Sequence, residues 1–332
     1  MAAGEFDIIR EVFAPLAEGA AGAFDLTDDA ALLGGDMVVT KDLMVEGVHF
    51  LKADPLDLVA RKLLRVNLSD LAAKGARPTG YFLGCVWPAT VKLADIRKFA
   101  EGLAADQAFF RIRLYGGDTT RHGAAGAPLV LSATFFGTPS RPGFLRRAGA
   151  AAGDDLYVTG TIGDAGLGLD ALRGAAKFAA ADKEFLARRY RLPEPRLTIG
   201  GALPGLASAA IDVSDGLVAD AGHLADLSGL RADIDAASIP LSGAARGWLD
   251  RQGEKSSAYG RIATAGDDYE ILFTAPQSGR RAVEMAAKLS KTAVARIGHM
   301  TRGSGVRLNG PDGEAIALGA GGYDHFAGRS AV

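Results

Sequence analysis

Apolar positions switch between helical and strand spacing along the chain. GEFDIIREVFAPLA carries Phe6, Ile9, Val12, Phe13 and Leu16 as a helical stripe, and DMVVT then reads as a short strand. Helical spacing resumes from Asp54 to Ala73 through Leu58, Leu63, Val66 and Leu71. GYFLGCVW follows as a buried strand, LADIRKFAEGLAADQAFF as a helix, and RLYGG and LVLSATFFG as short strands. After them, DDLYVTG predicts a strand, with helices around Gly163–Leu172, Ala181–Tyr190 and Arg196–Leu206. AAIDVSDGL passes from strand to helix, YEILFTA predicts a strand, and SGRRAVEMAAKLS a helix. Strands alternating with helices predict an α/β fold.

Between these series, residues 138–153 are rich in Pro, Gly and Arg, which marks a linker. With 332 residues, the expectation is two α/β domains, 1–145 and 146–332. The 44 glycines approach twice the average share of roughly 7%, and without a Gly-X-Y period they point to tight turns and close backbone approaches. Lys and Arg total 37 against 39 Asp and Glu, so no net charge attracts nucleic acid or an anionic membrane. Cys85 is the only cysteine, which excludes an internal disulfide and, within an apolar strand, predicts a buried thiol. The first ten residues lack the pattern of a signal peptide, and no apolar run approaches a membrane span; a cytoplasmic protein is expected.

Candidate chemistry enters with aspartates beside the apolar segments: Asp28–Asp29 before AALL, Asp42 after MVVTK, Asp118 after RLYGG, Asp212 and Asp215 in IDVSDGL, and Asp267–Asp268 before YEILF. Asp70 falls within a helix. Any one of these serves equally well as a helix cap or turn residue. Their recurrence is what suggests a cleft at strand ends, where gathered carboxylates need a hard cation such as Mg²⁺. A P-loop, HExxH, GxSxG and the kinase HRD…DFG set are absent. GTIGDAGLG lacks the ordered GxGxxG spacing, whereas YGGDTTR offers backbone N–H groups to an anion beside Asp118.

These same segments carry a resemblance. GEFDII, DDAALL, VEGVHF, NLSDLAAKGARP, YGGDTTR, DVSDGL, DDYEILF and GYDHF occur in this order from Gly4 to Phe326. Together they resemble the thiamine-monophosphate kinase family, in the superfamily that includes aminoimidazole-ribonucleotide synthetase. The resemblance implies ATP-dependent phosphorylation of thiamine monophosphate to thiamine diphosphate. It also implies a homodimer paired through its N-terminal sheets, and ATP bound by an acidic magnesium cluster. On matched motifs, Asp29, Thr40, Asp42, Asp70, Asp118, Asp212 and Asp215 fall at magnesium ligands, and Gly117, Asp118, Arg147 and Ser214 at ATP contacts. His49, Asp267 and Tyr323 fall at thiamine-phosphate contacts, and Asp118 and Asp215 are the residues expected to carry catalysis.

Three positions depart from the family's pattern: Thr27 where it commonly has Gly, Lys41 where it has a hydroxyl residue, and Asp267 where it has Glu. Lys41 either brings positive charge to phosphate or points to solvent. Tyr323 either stacks on the cationic substrate ring or packs, and His49 either bonds the substrate phosphate or is structural. The expected nucleophile is a phosphate oxygen of the substrate, largely ionised at neutral pH because its second pKa is about 6. Two other readings stand beside this one: an ATP-using relative that activates a carbonyl oxygen or selenium acceptor, and a non-catalytic metal or nucleotide module.

Overall fold

The computed structural model describes residues 4–124 and 126–318. Its N-terminal apolar stripe does not form one helix. Only α1 (Glu5–Ile8) is regular; the chain widens over Ile9–Phe13 and tightens over Ala14–Ala17. Pro15 supplies the reason, since it has no N–H for the carbonyl of residue 11 and its ring crowds that oxygen. Val12, Phe13 and Leu16 stay exposed.

β1 (Ala31–Leu33), β2 (Met37–Val45), β3 (Ala76–Trp87), β4 (Arg113–Arg121) and β5 (Val130–Pro139) form one sheet, in the order β1-β2-β5-β3-β4. α2 (Leu56–Ala73) leads from β2 to β3, and α3 (Leu93–Phe110) is the crossover that lets β3 and β4 run parallel. Strand alternation gives the sheet two unlike faces. Val38, Thr40 and Met44 of β2 point inward with Tyr81, Leu131 and Phe135, and pack on Val59, Leu63 and Leu64 of α2. Cys85 belongs to this core, and burial pushes its thiol up to about 12. On the outer face Met37, Leu43 and Phe82 are exposed, and the rings of Phe82, Tyr115 and Phe136 cluster with centroids 5.9–6.3 Å apart.

β6 (Asp155–Thr159), β7 (Ala209–Asp212), β8 (Leu230–Asp235), β9 (Ile271–Ala275), β10 (Val294–Arg302) and β11 (Gly305–Asn309) form the second sheet, in the order β11-β8-β10-β6-β9-β7. Around it lie α4 (Asp164–Arg173), α5 (Ala180–Arg191), α6 (Leu197–Gly200), α7 (Leu217–Ser228), α8 (Gly243–Asp250), α9 (Lys255–Ala263) and α10 (Arg280–Ser290). α6 is one turn where the sequence pattern suggests a helix to Leu206; Gly200, Gly201 and Pro204 do not sustain it. YEILFTA likewise becomes a strand only from Ile271, because Asp267 and Tyr269 take left-handed backbone conformations.

α2 connects the two sheets. It packs on β2, β3 and β5 on one side and reaches β7, β9 and α6 on the other. Arg65 donates to the carbonyl of Pro193 at 3.0 Å and Lys74, just past the helix end, to that of Ala210 at 2.8 Å. The carboxyl end of α2, with Asp70, therefore meets the carboxyl end of β7, with Asp212.

Candidate active site

Three carboxylates converge where those ends meet. Asp29 precedes β1, Asp70 ends α2 and Asp212 ends β7; one oxygen of each lies within 4.8 Å of the others. Thr40 Oγ1 is 2.5 Å from Asp70 Oδ2 and 3.0 Å from the carbonyl oxygen of Asp29. A hydroxyl has one proton, so it serves both acceptors well only when Asp70 is protonated and donates back. Electrostatics favours that state. Burial, then the charges of Asp42, Asp212 and Asp29, hold the Asp70 carboxyl well above the usual carboxylate range. Burial followed by the charge of Asp29 raises Asp42 to about 6 and Asp212 to about 7.

A belt of cations borders the cluster on one side. Lys74 is fully buried, with Nζ 2.7 Å from Asp28 Oδ1 and 2.6 Å from Asp29 Oδ2. Arg146 Nε donates to Asp28 Oδ2 at 2.5 Å, and Arg147 Nε to Asp29 Oδ1 at 2.6 Å. Burial opposes the charge on Asp29, but Arg147 and Lys74 outweigh it and hold that carboxyl below its usual value. Asp29 is thus balanced from within the chain, whereas Asp42, Asp70 and Asp212 are not. Arg147, expected at ATP, is engaged by Asp29 here.

A second group stands beside the first. Asp215, Asp220 and His223 each bring a ligand atom within 4.8 Å of the others. Asp220 Oδ2 accepts from the backbone N–H of Asp215 and of Gly216, each at 3.2 Å, which ties the DGL turn to α7. Burial, then Asp215, raises the Asp220 carboxyl strongly, while burial, then Arg147, lowers His223 to about 4, so its imidazole is neutral at pH 7. Asp220 and His223 were not among the sequence candidates. Their spacing of three residues on one helix face, just after Asp215, is the signal that would have found them.

The other candidates fall into place unevenly. Ser214 lies in the same turn, and its carbonyl accepts from Asp267 N at 2.8 Å. The loops approach closely enough that a Cβ on Gly266 would sit 2.4 Å from that carbonyl oxygen. His49 Nδ1 accepts from Val45 N at 2.9 Å, leaving Nε2 as the protonated nitrogen of a neutral ring. Asp267 pairs with Lys62 at 3.2 Å. Gly117 and Asp118 sit inside β4, which continues beyond RLYGG, and neither carboxylate group includes the exposed Asp118. Gly117 has a steric reason to be glycine, since a Cβ there would lie 1.8 Å from the carbonyl oxygen of Leu83. Lys41 is on the outer face of β2, hydrogen-bonded to Ser132 and turned away from Thr40 and Asp42. Tyr323 lies outside the described residues.

Oxygen donors gathered in this way suit a hard divalent cation such as Mg²⁺. One detail of the geometry tests the fit: Asp212 Oδ2 is buried without a hydrogen-bond partner, next to Asp70 and Asp29. A buried lone pair of this kind is costly unless something neutralises it, and the belt of Lys74, Arg146 and Arg147 is spent on Asp28 and Asp29. Asp29, Asp70 and Asp212 therefore fit a cation, and Asp42 adds its charge beside them.

Comparison with known proteins identifies the family. The family models described as AIR synthase related protein, N-terminal domain and C-terminal domain, match residues 27–138 and 151–310. The chain is 48% identical over 306 residues to the thiamine-monophosphate kinase of Caulobacter vibrioides, covering 91% of this chain and 85% of that protein. It is 38% identical over 334 residues to the Escherichia coli K12 thiamine-monophosphate kinase, covering 98% and 99%. The structure of AaThiL complexed with AMPPCP and TMP superposes with a TM-score of 0.83 at 27% identity, covering 97% of each chain. The chain belongs to the AIR synthase related family and, within it, to the thiamine-monophosphate kinases.

Proposed function

We propose that the protein transfers the γ-phosphoryl group of ATP to thiamine monophosphate, giving thiamine diphosphate and ADP. The observation that carries this reading is the convergence of Asp29, Asp70 and Asp212 at the junction of α2 and β7, with the His49 and Asp267 loops linked to the same helix. Support also comes from the AaThiL structure, which holds an ATP analogue and TMP together.

In the reaction an oxygen of the substrate's phosphate attacks the γ-phosphorus. The new P–O bond forms as the β–γ bridging P–O bond breaks, and ADP departs with that electron pair. The nucleophile is already ionised, so no general base is required. Asp42, Asp70 and Asp212, with Asp29 and Thr40 beside them, would hold Mg²⁺, and Asp215 would extend the site with Asp220. When bound, Mg²⁺ neutralises phosphate oxygens and favours in-line transfer. His49 would contact the substrate phosphate, and Asp267 would offer negative charge to the cationic thiamine ring system. Arg147 moves from Asp29 to an ATP phosphate once the carboxylate has another cation; its planar fork suits that contact. Ser214 and Gly117 remain proposed ATP contacts, and Tyr323 a proposed ring contact.

The dimer is part of this reading. Among the described residues no strand pairs with the outer edge of the nine-residue β4, which lies beside an open apolar face, and such an edge invites pairing with a second copy. Asp118, exposed on that edge strand, would join the site through the proposed pairing. The division of the chain at 145/146 follows the break between the two sheets. Among the described residues no helix is long and apolar enough to cross a membrane, and a buried lone thiol fits a cytoplasmic enzyme. Incubating purified protein with ATP, Mg²⁺ and thiamine monophosphate tests the function. Stoichiometric thiamine diphosphate and ADP are expected; ATP hydrolysis without thiamine diphosphate would refute it.

A further inference from the structure

We infer that Lys62 is a positioning residue for the thiamine-phosphate side of the site, an inference that rests on the proposed function. Lys62 lies on α2, and only 3% of its side chain is exposed. An ammonium this deep must be satisfied, and it has three N–H donors to satisfy. It has three partners. Nζ is 3.2 Å from Asp267 Oδ1, donates to the carbonyl oxygen of His49 at 3.0 Å, and stands 4.0 Å from the centroid of the Tyr190 ring.

Each partner comes from a different part of the chain: the turn after β2, helix α5, and the loop before β9. Two are the residues placed at the substrate by the sequence motifs, and the third also reaches the first, with Tyr190 Oη 3.4 Å from the His49 carbonyl oxygen. Asp267 needs such a tether. Its backbone is left-handed at φ 72° and Tyr269 follows at φ 51°; main-chain bonds to Ser214 and Val213 and the Asp268 carboxylate at the start of α4 hold the loop's backbone, but none of them fixes the Asp267 side chain. The carboxylate of Asp267 keeps 28% of its side chain exposed. Lys62 takes Oδ1 and thereby aims Oδ2 at the cationic part of the substrate. Through the same ammonium it fixes the His49 turn, whose ring is already oriented by Val45. Charge, cation–π contact and hydrogen bonding thus converge on one atom that does not itself meet the substrate.

The test is a kinetic and binding comparison of wild type, Lys62→Met, Asp267→Asn and the double variant. Losing a charged hydrogen bond predicts a KM for thiamine monophosphate raised about tenfold to a hundredfold in Lys62→Met, with kcat and the KM for ATP changed far less. The Kd for thiamine monophosphate alone, by calorimetry, weakens in parallel. The double variant is no worse than the weaker single variant, because both changes disable one device. A merely structural role would instead lower Tm and affect both substrates alike. Should Lys62→Met not fold, Lys62→Gln keeps an uncharged donor for the His49 carbonyl and is expected to show the same selective rise in KM. Unchanged KM in the folded Lys62 variant, or multiplicative losses in the double variant, overturns the assignment. A wild-type protein that makes no thiamine diphosphate refutes the proposed function instead.

Discussion

Two buried acidic regions along α2 teach opposite lessons. Midway along the helix, Asp106 of α3 is fully buried and meets Arg61 Nε at 2.9 Å and Arg65 Nε at 2.6 Å. At the end of the helix, the buried Asp212 and the partly buried Asp42 and Asp70 lie near one another and Asp29. The first region is finished by its own arginines and locks α3 to α2. The second has fewer cations of its own among the described residues, so its carboxylates raise one another's pKa. Burial of acids does not distinguish a structural ion pair from a ligand site; the supply of cations within the chain does.

Removing one carboxylate from each region should separate them most sharply. Asp212→Asn is expected to lower kcat about a thousandfold, the scale of losing metal-assisted charge stabilisation, while the Tm of the metal-free protein rises. Asp106→Asn should do the reverse. It leaves two largely buried arginines underpaired, costing about 3–5 kcal/mol in denaturant unfolding, with little change in kcat where the variant is folded. Equal effects of the two substitutions on kcat would erase the distinction.

A smaller effect concerns pH. Asp42, Asp70 and Asp212 have pKa values raised above their unfolded values, so these groups hold more protons in the native state than in the unfolded chain between about pH 4 and pH 7. Their stabilising contribution is present below pH 4 and lost as pH rises through 6–7. The metal-free protein should therefore lose stability over that window, and Mg²⁺ should raise Tm more at pH 8 than at pH 5. A Mg²⁺ effect independent of pH would contradict the shifts. The smallest expected effect is at Lys41, where Lys41→Thr should leave the magnesium requirement and the KM for ATP unchanged, because the side chain lies on the opposite face of β2.

The meeting of Asp29, Asp70 and Asp212 follows from their places before β1, in the last turn of α2 and at the end of β7, which the motif order indicates, whereas Asp42 lies inside β2 and not after it. Motifs alone leave Lys41 open between phosphate and solvent; strand alternation decides it, because Thr40 and Asp42 share one face and the residue between them takes the other. Lys62 and Lys74 were not legible in the sequence. A lysine in a helical segment reads as a solvated side chain, and only the packing of α2 between two sheets buries it. The N-terminal stripe misled because apolar spacing does not register what Pro15 does to the helix, and RLYGG looked shorter than β4 because pairing with β3 carries the strand through Asp118.

The proposed magnesium site beside Asp42, Asp70 and Asp212 is open to direct measurement. Calorimetric titration of Mg²⁺ into the metal-free protein near pH 6.5, in buffers of different ionisation enthalpy, tests it directly. The account predicts binding with net proton release for the wild type, and loss of both in Asp70→Asn/Asp212→Asn. Binding without proton release, or binding retained by that double variant, would contradict it.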